Sequence, residues 1–418
     1  MREDIKPNFK NFRIFLKAFF KWVYVALAVG ITGGLVGSAF HLIVEYVTEL
    51  RISHPRLLFT MPICGLLIVF LYKLSKTEGK GTNVIIGSVH FGKNVPILLV
   101  PVIFIATALT HLCGGSAGRE GAALQIGGGL GCHIGKILHL KDKEEPLAIL
   151  CGMSAVFSAL FGTPIAATVF ALEVCSVGLI HYSGLVPCST AALVAYGVTR
   201  IFGIAPTRFA VEAMALSAGG IIKVILLAFI CAVVSVLFCE LLHSSEKLAE
   251  KLMPNSYVRI LAGSALIIGL SLIFSSGDYN GAGMNIITRA VEQGQVKPEA
   301  FIMKILFTAI TLSCGFKGGE VVPTLFVGAA LGCAVGPLLG LPAGFAAAIG
   351  MAALFCGAVN CPLASLILAI ELFGGVGFTY FAVACFISYM LSGYSSLYSE
   401  QIITYSKLRA EYINIHPQ

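Results

Sequence analysis

Long apolar stretches that carry almost no charged side chains make up most of this chain, and residues 24–47 form the first of them. Charged residues account for 12% of the 418 positions, and the mean hydropathy is +0.91. Soluble domains carry about twice that charged fraction. Because a membrane-spanning helix needs about 20 apolar residues, the chain is long enough for about ten spans. We therefore predict an all-α, multi-pass protein of the cell membrane rather than a soluble enzyme.

Basic side chains cluster ahead of the first apolar stretch, at Arg2, Lys6, Lys10, Arg13, Lys17 and Lys21. By the positive-inside rule, this cluster places the N-terminus in the cytoplasm. The basic residues recur at helical spacing opposite phenylalanines, so residues 1–23 predict a cytoplasmic amphipathic helix at the membrane surface. A surface that faces lipid headgroups accounts for the net charge of +7, and no nucleic-acid partner is expected.

The two halves of the chain repeat the same blocks in the same order. The repeated pairs are Gly79-x-Gly81 with Gly281-x-Gly283, Gly118-Arg119-Glu120 with Gly318-Gly319-Glu320, and Gly152…Pro164…Glu173 with Gly350…Pro362…Glu371. We predict a first membrane repeat over 24–240, a polar linker over 241–257, a second repeat over 258–400 and a cytoplasmic C-terminal tail over 401–418. An inverted pair of halves is favoured, because a site held between broken helices is commonly built that way.

Glycine ladders and cysteines both have structural explanations. Glycines recur every fourth residue at Gly127, Gly131 and Gly135, and again at Gly328, Gly332 and Gly336. Small residues at this spacing let helices approach closely in lipid, so the ladders predict packing faces. The 13 cysteines include no C-x-x-C pair, which predicts buried free thiols rather than disulfides or a zinc site.

Each half contains a glycine-rich break just before a predicted helix start, and each break carries a glutamate, Glu120 or Glu320. Glycines let successive N–H groups point inward, and a helix N-terminus presents a positive dipole end. Two such ends that meet form an anion site. Each glutamate could merely cap its own helix, but a carboxylate inside a membrane is costly and usually functional, so we favour a functional role for both. For Glu173 and Glu371, at the far ends of apolar helices, we expect a structural or interfacial role.

The sequence offers little support for an enzymatic function. Residues 114–118 fit the nucleophile pattern G-x-S-x-G around Ser116, but a short pattern in a glycine-rich chain is best explained by chance. His111 is the only nearby histidine, and its apolar helix predicts that it is packed rather than catalytic. The sequence has no Walker A, H-E-x-x-H or dinucleotide motif, so no cofactor is expected and transport driven by ATP is unsupported.

Several motifs together resemble a known family. Gly118-Arg119-Glu120-Gly121, Gly319-Glu320-Val321-Val322-Pro323 and Leu397-Tyr398-Ser399 resemble, in this order, motifs of the CLC chloride channels and anion/proton antiporters. The resemblance implies a homodimer in the lipid bilayer with one pathway per subunit, each subunit built from inverted repeats of broken and tilted helices. It also implies that Glu120 is the gating glutamate, which competes with the permeant anion and carries the proton. The anion-binding positions implied are Lys80, Gly81, Gly118, Arg119, Gly121, Val321, Val322 and Tyr398.

The segment Lys317 to Pro323 resembles the fluoride-exporting branch of this family, in which a second glutamate, here Glu320, assists proton coupling. Val174 stands where chloride/proton exchangers have an internal proton glutamate, which also fits that branch. We therefore expect exchange of an inorganic anion, fluoride or else chloride, for protons. A passive chloride-selective or fluoride-permeable channel of the same fold is the alternative.

At three positions the residue differs from the one that is usual in the fluoride-exporting branch. Ala122 and Val322 stand where it usually has threonine, and Lys80 stands where it has methionine or asparagine and the wider family has serine. Lys80 is predicted either to contact the anion directly or to pair with Glu120 or Glu320, since an unpaired charge there would be costly.

Overall fold

The computed structural model describes residues 9–92, 95–212, 214–274 and 277–417, with side chains from residue 12 onward. In this part of the chain there are sixteen α-helices and three short strands, which confirms the predicted all-α class. Helical stretches that are long and apolar enough to cross a membrane are Phe12–Ser53, Pro55–Leu74, Tyr182–Ile201, Ala218–Leu252, Ser256–Ile273 and Val321–Leu339. Seven further apolar helices of 10–17 residues are too short to span alone, as expected where broken helices are buried in protein.

The helices divide into two sets of eight. The first set is α1 (Phe9–Ser53), α2 (Met61–Leu74), α3 (Thr82–Phe91), α4 (Leu99–Leu112), α5 (Glu120–Ile137), α6 (Glu145–Phe161), α7 (Pro164–Glu173) and α8 (Leu185–Ile201). The second set is α9 (Ala218–Leu252), α10 (Ser256–Ile273), α11 (Met284–Thr288), α12 (Ala300–Ser313), α13 (Val321–Val335), α14 (Ala343–Val359), α15 (Pro362–Phe373) and α16 (Phe378–Leu391). Because the glycine blocks fall at matching places in both sets, α9 corresponds to α1 and α13 to α5.

The division between the halves lies earlier in the structure than in the predicted boundaries. Helix α9, the counterpart of α1, begins at Ala218, inside the range 24–240 assigned to the first repeat. It ends at Leu252, so most of the predicted linker 241–257 is helical and only residues 253–255 separate α9 from α10. The polar stretch is rich in Leu, Lys, Glu and Ala, which favour helix, so its polarity marks an exposed helix end rather than a linker.

The two halves run in opposite directions, as favoured from the sequence. Helix α1 ends beside the start of α2, because only a short turn over 54–60 separates them. The other end of α2 meets the start of α10, where the Lys73 ammonium lies 4.3 Å from the centre of the Tyr257 ring. Since α9 ends just before α10, the corresponding helices α1 and α9 end at opposite ends of α2 and therefore on opposite faces of the molecule.

The segments near both termini differ from their predicted forms. Residues 1–8 lie outside the described residues, but from Phe9 onward α1 continues into the first span without a break, so the basic segment is not a separate helix. No glycine or proline lies between residues 9 and 29 to interrupt it. The C-terminal segment forms an antiparallel hairpin, β2 (Ile402–Tyr405) with β3 (Tyr412–Ile415), and β2 pairs in parallel with β1 (Ser176–Val177) of the first half.

The glycine ladders are packing faces, as predicted. A methyl group added at Gly127 or Gly131 of α5 would collide with backbone atoms of α6, and one added at Gly328 of α13 would collide with the Gly350 carbonyl of α14. These two helix pairs are therefore in direct backbone contact. All 13 cysteines are buried and free, which confirms that prediction as well.

Replacing Gly127 with alanine is expected to destabilise the protein by about 1–3 kcal/mol, the usual cost of an overpacked core. The added methyl group would overlap the Gly152 carbonyl oxygen, and the backbone cannot move aside as a side chain can. Thermal unfolding in detergent should show a midpoint several degrees lower. Gly197→Ala is the matched control, because nothing lies within 4 Å of a methyl group there. Equal midpoints for the two variants would contradict the packing argument.

Candidate functional site

The starts of helices α5 and α13 face each other across a backbone bridge. The Gly118 N–H donates to the Gly319 carbonyl and the Gly319 N–H donates to the Gly118 carbonyl, both at 2.7 Å. Each glycine stands just ahead of its helix, so the bridge holds two helix N-termini, one from each half, at one place. Both helix dipoles thus direct their positive ends to the same region.

The Glu120 carboxylate lies between these two helix starts. Its side chain is 2% exposed, and its Oε2 accepts a hydrogen bond from the Arg119 N–H at 2.9 Å. Val322, in the first turn of α13, contributes a further backbone interaction to the same carboxylate. The Arg119 guanidinium is adjacent, with its Nε 3.7 Å from Glu120 Oε1. A Cβ atom at Gly118 would lie 2.5 Å from Oε2, so the carboxylate can occupy this position only beside a glycine.

The second glutamate, Glu320, approaches the same place from the other half. Its Oε2 lies 3.2 Å from where a Cβ atom of Gly121 would be, so the carboxylate rests against the first turn of α5. That oxygen is buried and has no hydrogen-bond partner among the described residues. A buried acceptor without a donor is costly, and native structures contain few of them.

A third helix start, that of α3, meets the same turn of α5. The Thr82 hydroxyl donates to the Gly121 carbonyl at 3.4 Å and accepts from the Gln125 amide at 3.2 Å. Gly81 is the residue that precedes this helix, and Lys80 lies just before it with a half-buried side chain. No carboxylate of the described residues lies within 4 Å of the Lys80 ammonium, so the alternative of an ion pair with either glutamate is not observed. Direct contact of Lys80 with an anion stays a prediction.

Tyr398 adds a buried hydroxyl to this region. The residue is 2% exposed, and its Oη has no hydrogen-bond partner in the part of the chain that the structure describes. Its loop is tied to the start of α3, because the Glu400 N–H donates to Asn83 Oδ1 at 3.4 Å. Tyr398 also lies within electrostatic range of Glu320 and Glu120. An unpartnered hydroxyl at this position is available to donate to an anion.

Val321 and Val322 are the first two residues of α13, and both side chains are buried. Their N–H groups belong to the first turn, where no preceding helical carbonyl can accept them. The structure therefore brings together the predicted site glycines, both glutamates, both valines and Tyr398, with Lys80 at the edge of the cluster. The anion-binding roles assigned to these residues remain predictions.

The motif around Ser116 has a structural role. The Ser116 hydroxyl hydrogen-bonds the Thr308 hydroxyl at 3.1 Å, and its N–H donates to the Thr311 hydroxyl at 3.0 Å. These bonds fasten the glycine-rich segment of one half to α12 of the other. His111 is buried, its Nδ1 contacts the Thr107 carbonyl at 2.9 Å, and its Nε2 has no hydrogen-bond partner among the described residues, so neither ring nitrogen bonds to Ser116.

Glu173 and Glu371 cap each other's helices, which confirms the structural role expected for them. The Glu173 carboxylate, at the end of α7, accepts from the N–H groups of Leu363 and Ala364 at the start of α15. The Glu371 carboxylate, near the end of α15, accepts from Ile165 and Ala166 at the start of α7.

Two cavities approach the site from opposite faces. The first, of about 840 Å³, lies at the end of α1, and Glu120, Arg119, Val322 and His111 are among the residues that line it. The second, of about 390 Å³, lies where α2 and α9 end and α10 begins, and it reaches Gly315 and Lys317. Since α1 and α9 end on opposite faces, the two cavities open to opposite sides of the molecule.

Three polar residues of this region, Thr82, Asn83 and Gln125, were not predicted from the sequence. Thr82 and Asn83 directly follow the repeated glycine block, and Gln125 is the only polar side chain in the apolar, glycine-rich stretch 121–131 of α5. That isolation was the available signal, because a buried polar side chain is retained only where it finds a partner.

Comparison with known proteins agrees with this architecture. A profile of the voltage gated chloride channel family matches residues 64–393. The "Chloride/fluoride channel protein" of Pseudomonas syringae pv. tomato is 34% identical over 93% of this chain and 87% of its own length. The H(+)/Cl(−) exchange transporter ClcA of Vibrio cholerae is 27% identical over 85% of this chain and 82% of its own.

Solved structures show the same fold. The crystal structure of a CLC-type fluoride/proton antiporter superposes with a TM-score of 0.88 at 30% identity and covers 91% of this chain and 98% of that one. A slow cyanobacterial Cl−/H+ antiporter, at 19% identity and a TM-score of 0.77 over 89% of this chain and 94% of its own, shares the fold. The match to the family profile covers more than half of the sequence, and a relative above 30% identity spans nearly all of it. This chain is therefore a multi-pass membrane protein of the CLC family, whose members are transporters and not enzymes.

Proposed function

We propose that this protein exchanges an inorganic anion, fluoride in preference to chloride, for protons across the membrane. One observation carries the proposal: the carboxylates of Glu120 and Glu320, one from each half, lie at two helix starts joined by a backbone bridge. Helix N-termini attract anions, so a carboxylate placed there competes with a mobile anion for the same donors.

In the proposed cycle, a proton on Glu120 removes the charge that holds this side chain between the starts of α5 and α13. The side chain then leaves, and an anion takes its place among the N–H groups. The unpartnered Oε2 of Glu320, beside the first turn of α5, is a second place where a proton can rest. Protons thus pass by way of two carboxylates while an anion moves in the opposite direction.

Fluoride is small and strongly hydrated, so its site must replace lost water with several close donors. The proposed donors are the N–H groups at the helix starts, the Tyr398 hydroxyl and the Lys80 ammonium. The names of the Pseudomonas relative and of the solved antiporter, both of which include fluoride, support this choice.

Passive anion conduction is the second candidate. The name of the Pseudomonas relative describes a channel, which favours this alternative. In this case Glu120 would gate the pathway without carrying protons.

Liposome flux separates the two candidates. Purified protein is reconstituted in vesicles loaded with fluoride or chloride, and anion efflux and external pH are recorded in one trace. We expect fluoride efflux with proportional proton uptake, and an imposed proton gradient should drive fluoride against its own gradient. Chloride efflux without proton movement would overturn the proposal in favour of a channel.

Tyr398→Phe is expected to weaken fluoride binding by about ten-fold, because it removes one donor to a charged ligand and almost no volume. Isothermal titration of the detergent-solubilised protein with fluoride measures the affinity. Tyr394→Phe is the matched control, since its hydroxyl contacts Ser406 in the C-terminal segment, outside the site. An unchanged affinity in Tyr398→Phe would show that this hydroxyl does not bind the anion.

The working unit in this proposal is a homodimer in a lipid bilayer, with one pathway in each subunit and both termini in the cytoplasm. Exposed Arg13 and Lys17 near the start of α1 support the orientation of the N-terminus. Chemical cross-linking in liposomes, followed by electrophoresis, should trap pairs of chains. A chain that stays monomeric at a high ratio of protein to lipid would contradict the dimer.

A further inference from the structure

The buried amide of Gln401, three residues after Tyr398, joins three parts of the molecule. Its Nε2 donates to the Val174 carbonyl, directly after α7, at 2.8 Å and to the Val359 carbonyl, at the end of α14, at 3.0 Å. Its Oε1 accepts from the Ser396 hydroxyl at 2.9 Å. One fully buried side chain thus connects the first half, the second half and the C-terminal segment.

Asn360 extends this set of contacts to the C-terminal hairpin. It directly follows α14 and has a φ of +57°, a left-handed conformation that asparagine tolerates better than most residues. Its Nδ2 donates to Gln401 Oε1 at 3.2 Å and to the Ser395 carbonyl at 2.9 Å. Its Oδ1 accepts a hydrogen bond from the Lys407 ammonium. Both ends of the amide are therefore bonded, and its orientation is fixed.

Lys407 lies in the turn between β2 and β3, and its ammonium is held at three points. Besides Asn360, it donates to the Tyr389 carbonyl at 2.7 Å and to the Ser392 hydroxyl at 3.2 Å, both at the end of α16. The ammonium also lies 4.2 Å from the centre of the Tyr389 ring. An ammonium has three N–H donors, so all of them are used. Lys407 therefore fastens the hairpin to the ends of α14 and α16.

The other end of this chain of contacts is the backbone of Tyr398. Its N–H donates to the Ser396 hydroxyl at 3.1 Å, and that hydroxyl donates in turn to Gln401. The Tyr398 hydroxyl, in contrast, has no partner among the described residues. The direction of the ring is therefore set by the backbone that carries it. Buried polar networks whose members are all satisfied hold such a backbone in one arrangement.

We propose that Lys407 is a positioning residue for the anion site: through Asn360, Gln401 and Ser396 it holds the loop that directs the Tyr398 hydroxyl to the anion. This inference rests on the proposed function, in which that hydroxyl is a donor to the anion. Lys407 acts only through other residues. The C-terminal hairpin thereby contributes to anion affinity from outside the cluster of glutamates and helix starts.

Hydrogen exchange tests whether Lys407 holds the loop. In the detergent-solubilised protein, mass spectrometry follows the amide protons of residues 396–401. In Lys407→Met we expect them to exchange about ten-fold faster, because the network opens more often without its ammonium. Tyr394→Phe is the matched control, since it removes another bond of the same segment, that to Ser406, and leaves the network intact. Unchanged exchange in Lys407→Met, or an equal increase in the control, would overturn the proposal.

A double-mutant cycle tests whether Lys407 acts through Tyr398. Isothermal titration with fluoride gives the affinities of Lys407→Met, of Tyr398→Phe and of the double variant. We expect Lys407→Met to weaken binding by about five-fold, less than the loss of the whole hydroxyl. The double variant should bind no more weakly than Tyr398→Phe, because two changes that remove one contribution are not additive. Fully additive losses would show that Lys407 affects the anion by another route and would overturn the proposal.

Ser396→Ala gives a second reading if Lys407→Met fails to fold. It removes only the oxygen that accepts from the Tyr398 N–H, and it should give the same faster exchange and weaker binding. If Tyr398→Phe leaves the fluoride affinity unchanged, the proposed role of its hydroxyl is wrong, whereas faster exchange in Lys407→Met would still support the positioning of the loop. An unchanged affinity in Lys407→Met beside a clear loss in Tyr398→Phe would refute the inference itself.

Discussion

Replacing Glu120 with glutamine is expected to abolish proton movement while the protein still carries anions. The amide fills the same space between the starts of α5 and α13, but it cannot take up or release a proton. The loss of a group that transfers protons typically costs a factor of about 100 or more in the proton-dependent rate. Liposomes loaded with fluoride, with anion efflux and external pH recorded together, give the ratio of protons to anions directly.

The control for this variant is Glu49→Gln. Glu49 lines the same cavity as Glu120, but its side chain is exposed and stands away from the bridge between the halves. We expect wild-type coupling in this control. If protons still move in proportion to fluoride in Glu120→Gln, the proposed mechanism is wrong.

Replacing Glu320 with glutamine should have the second largest effect. Its Oε2 is buried without a donor beside Gly121, which makes it the nearest second carboxylate to the start of α5. Without it, protons lose one of two resting places, and we expect the rate of proton-coupled fluoride efflux to fall by about ten-fold or more. The same liposome recording measures this rate.

Glu320→Asp provides the comparison, since it keeps the carboxylate and shortens the side chain by one carbon. Partial coupling in the aspartate variant together with its loss in the glutamine variant would identify the titrating group. Wild-type coupling in Glu320→Gln would mean that Glu120 carries protons alone and that Glu320 only shapes the site.

The repeated glycine blocks allowed the fold to be predicted, because a helix whose backbone contacts another backbone needs glycine at the contact positions. Gly127 and Gly328 contact backbone carbonyl groups of the neighbouring helix, and no larger residue fits at these positions. The position of the division between the halves was not predictable in the same way. Helix α9 ends in polar residues with good helix propensity, and a polar helix end has the same composition as a linker.

The candidate site was predictable where a carboxylate stands beside glycines, as at Glu120 and Glu320. Thr82 and Gln125 were missed, since a single polar residue in an apolar segment does not reveal which distant group it will meet. The cavities depend on how helix ends from both halves come together. Lys317 and Arg259 are 58 residues apart in sequence and meet only in the folded chain.

The reciprocal caps of α7 and α15 have a consequence for biogenesis. The N–H group of Ile165 is satisfied by a carboxylate 206 residues later in the chain, at Glu371. When the ribosome has delivered only the first half to the membrane, the start of α7 still lacks this acceptor in an environment that offers few others. The first half therefore cannot reach its final arrangement before α15 (Pro362–Phe373) has been synthesised, and maturation of the whole chain depends on the arrival of that helix.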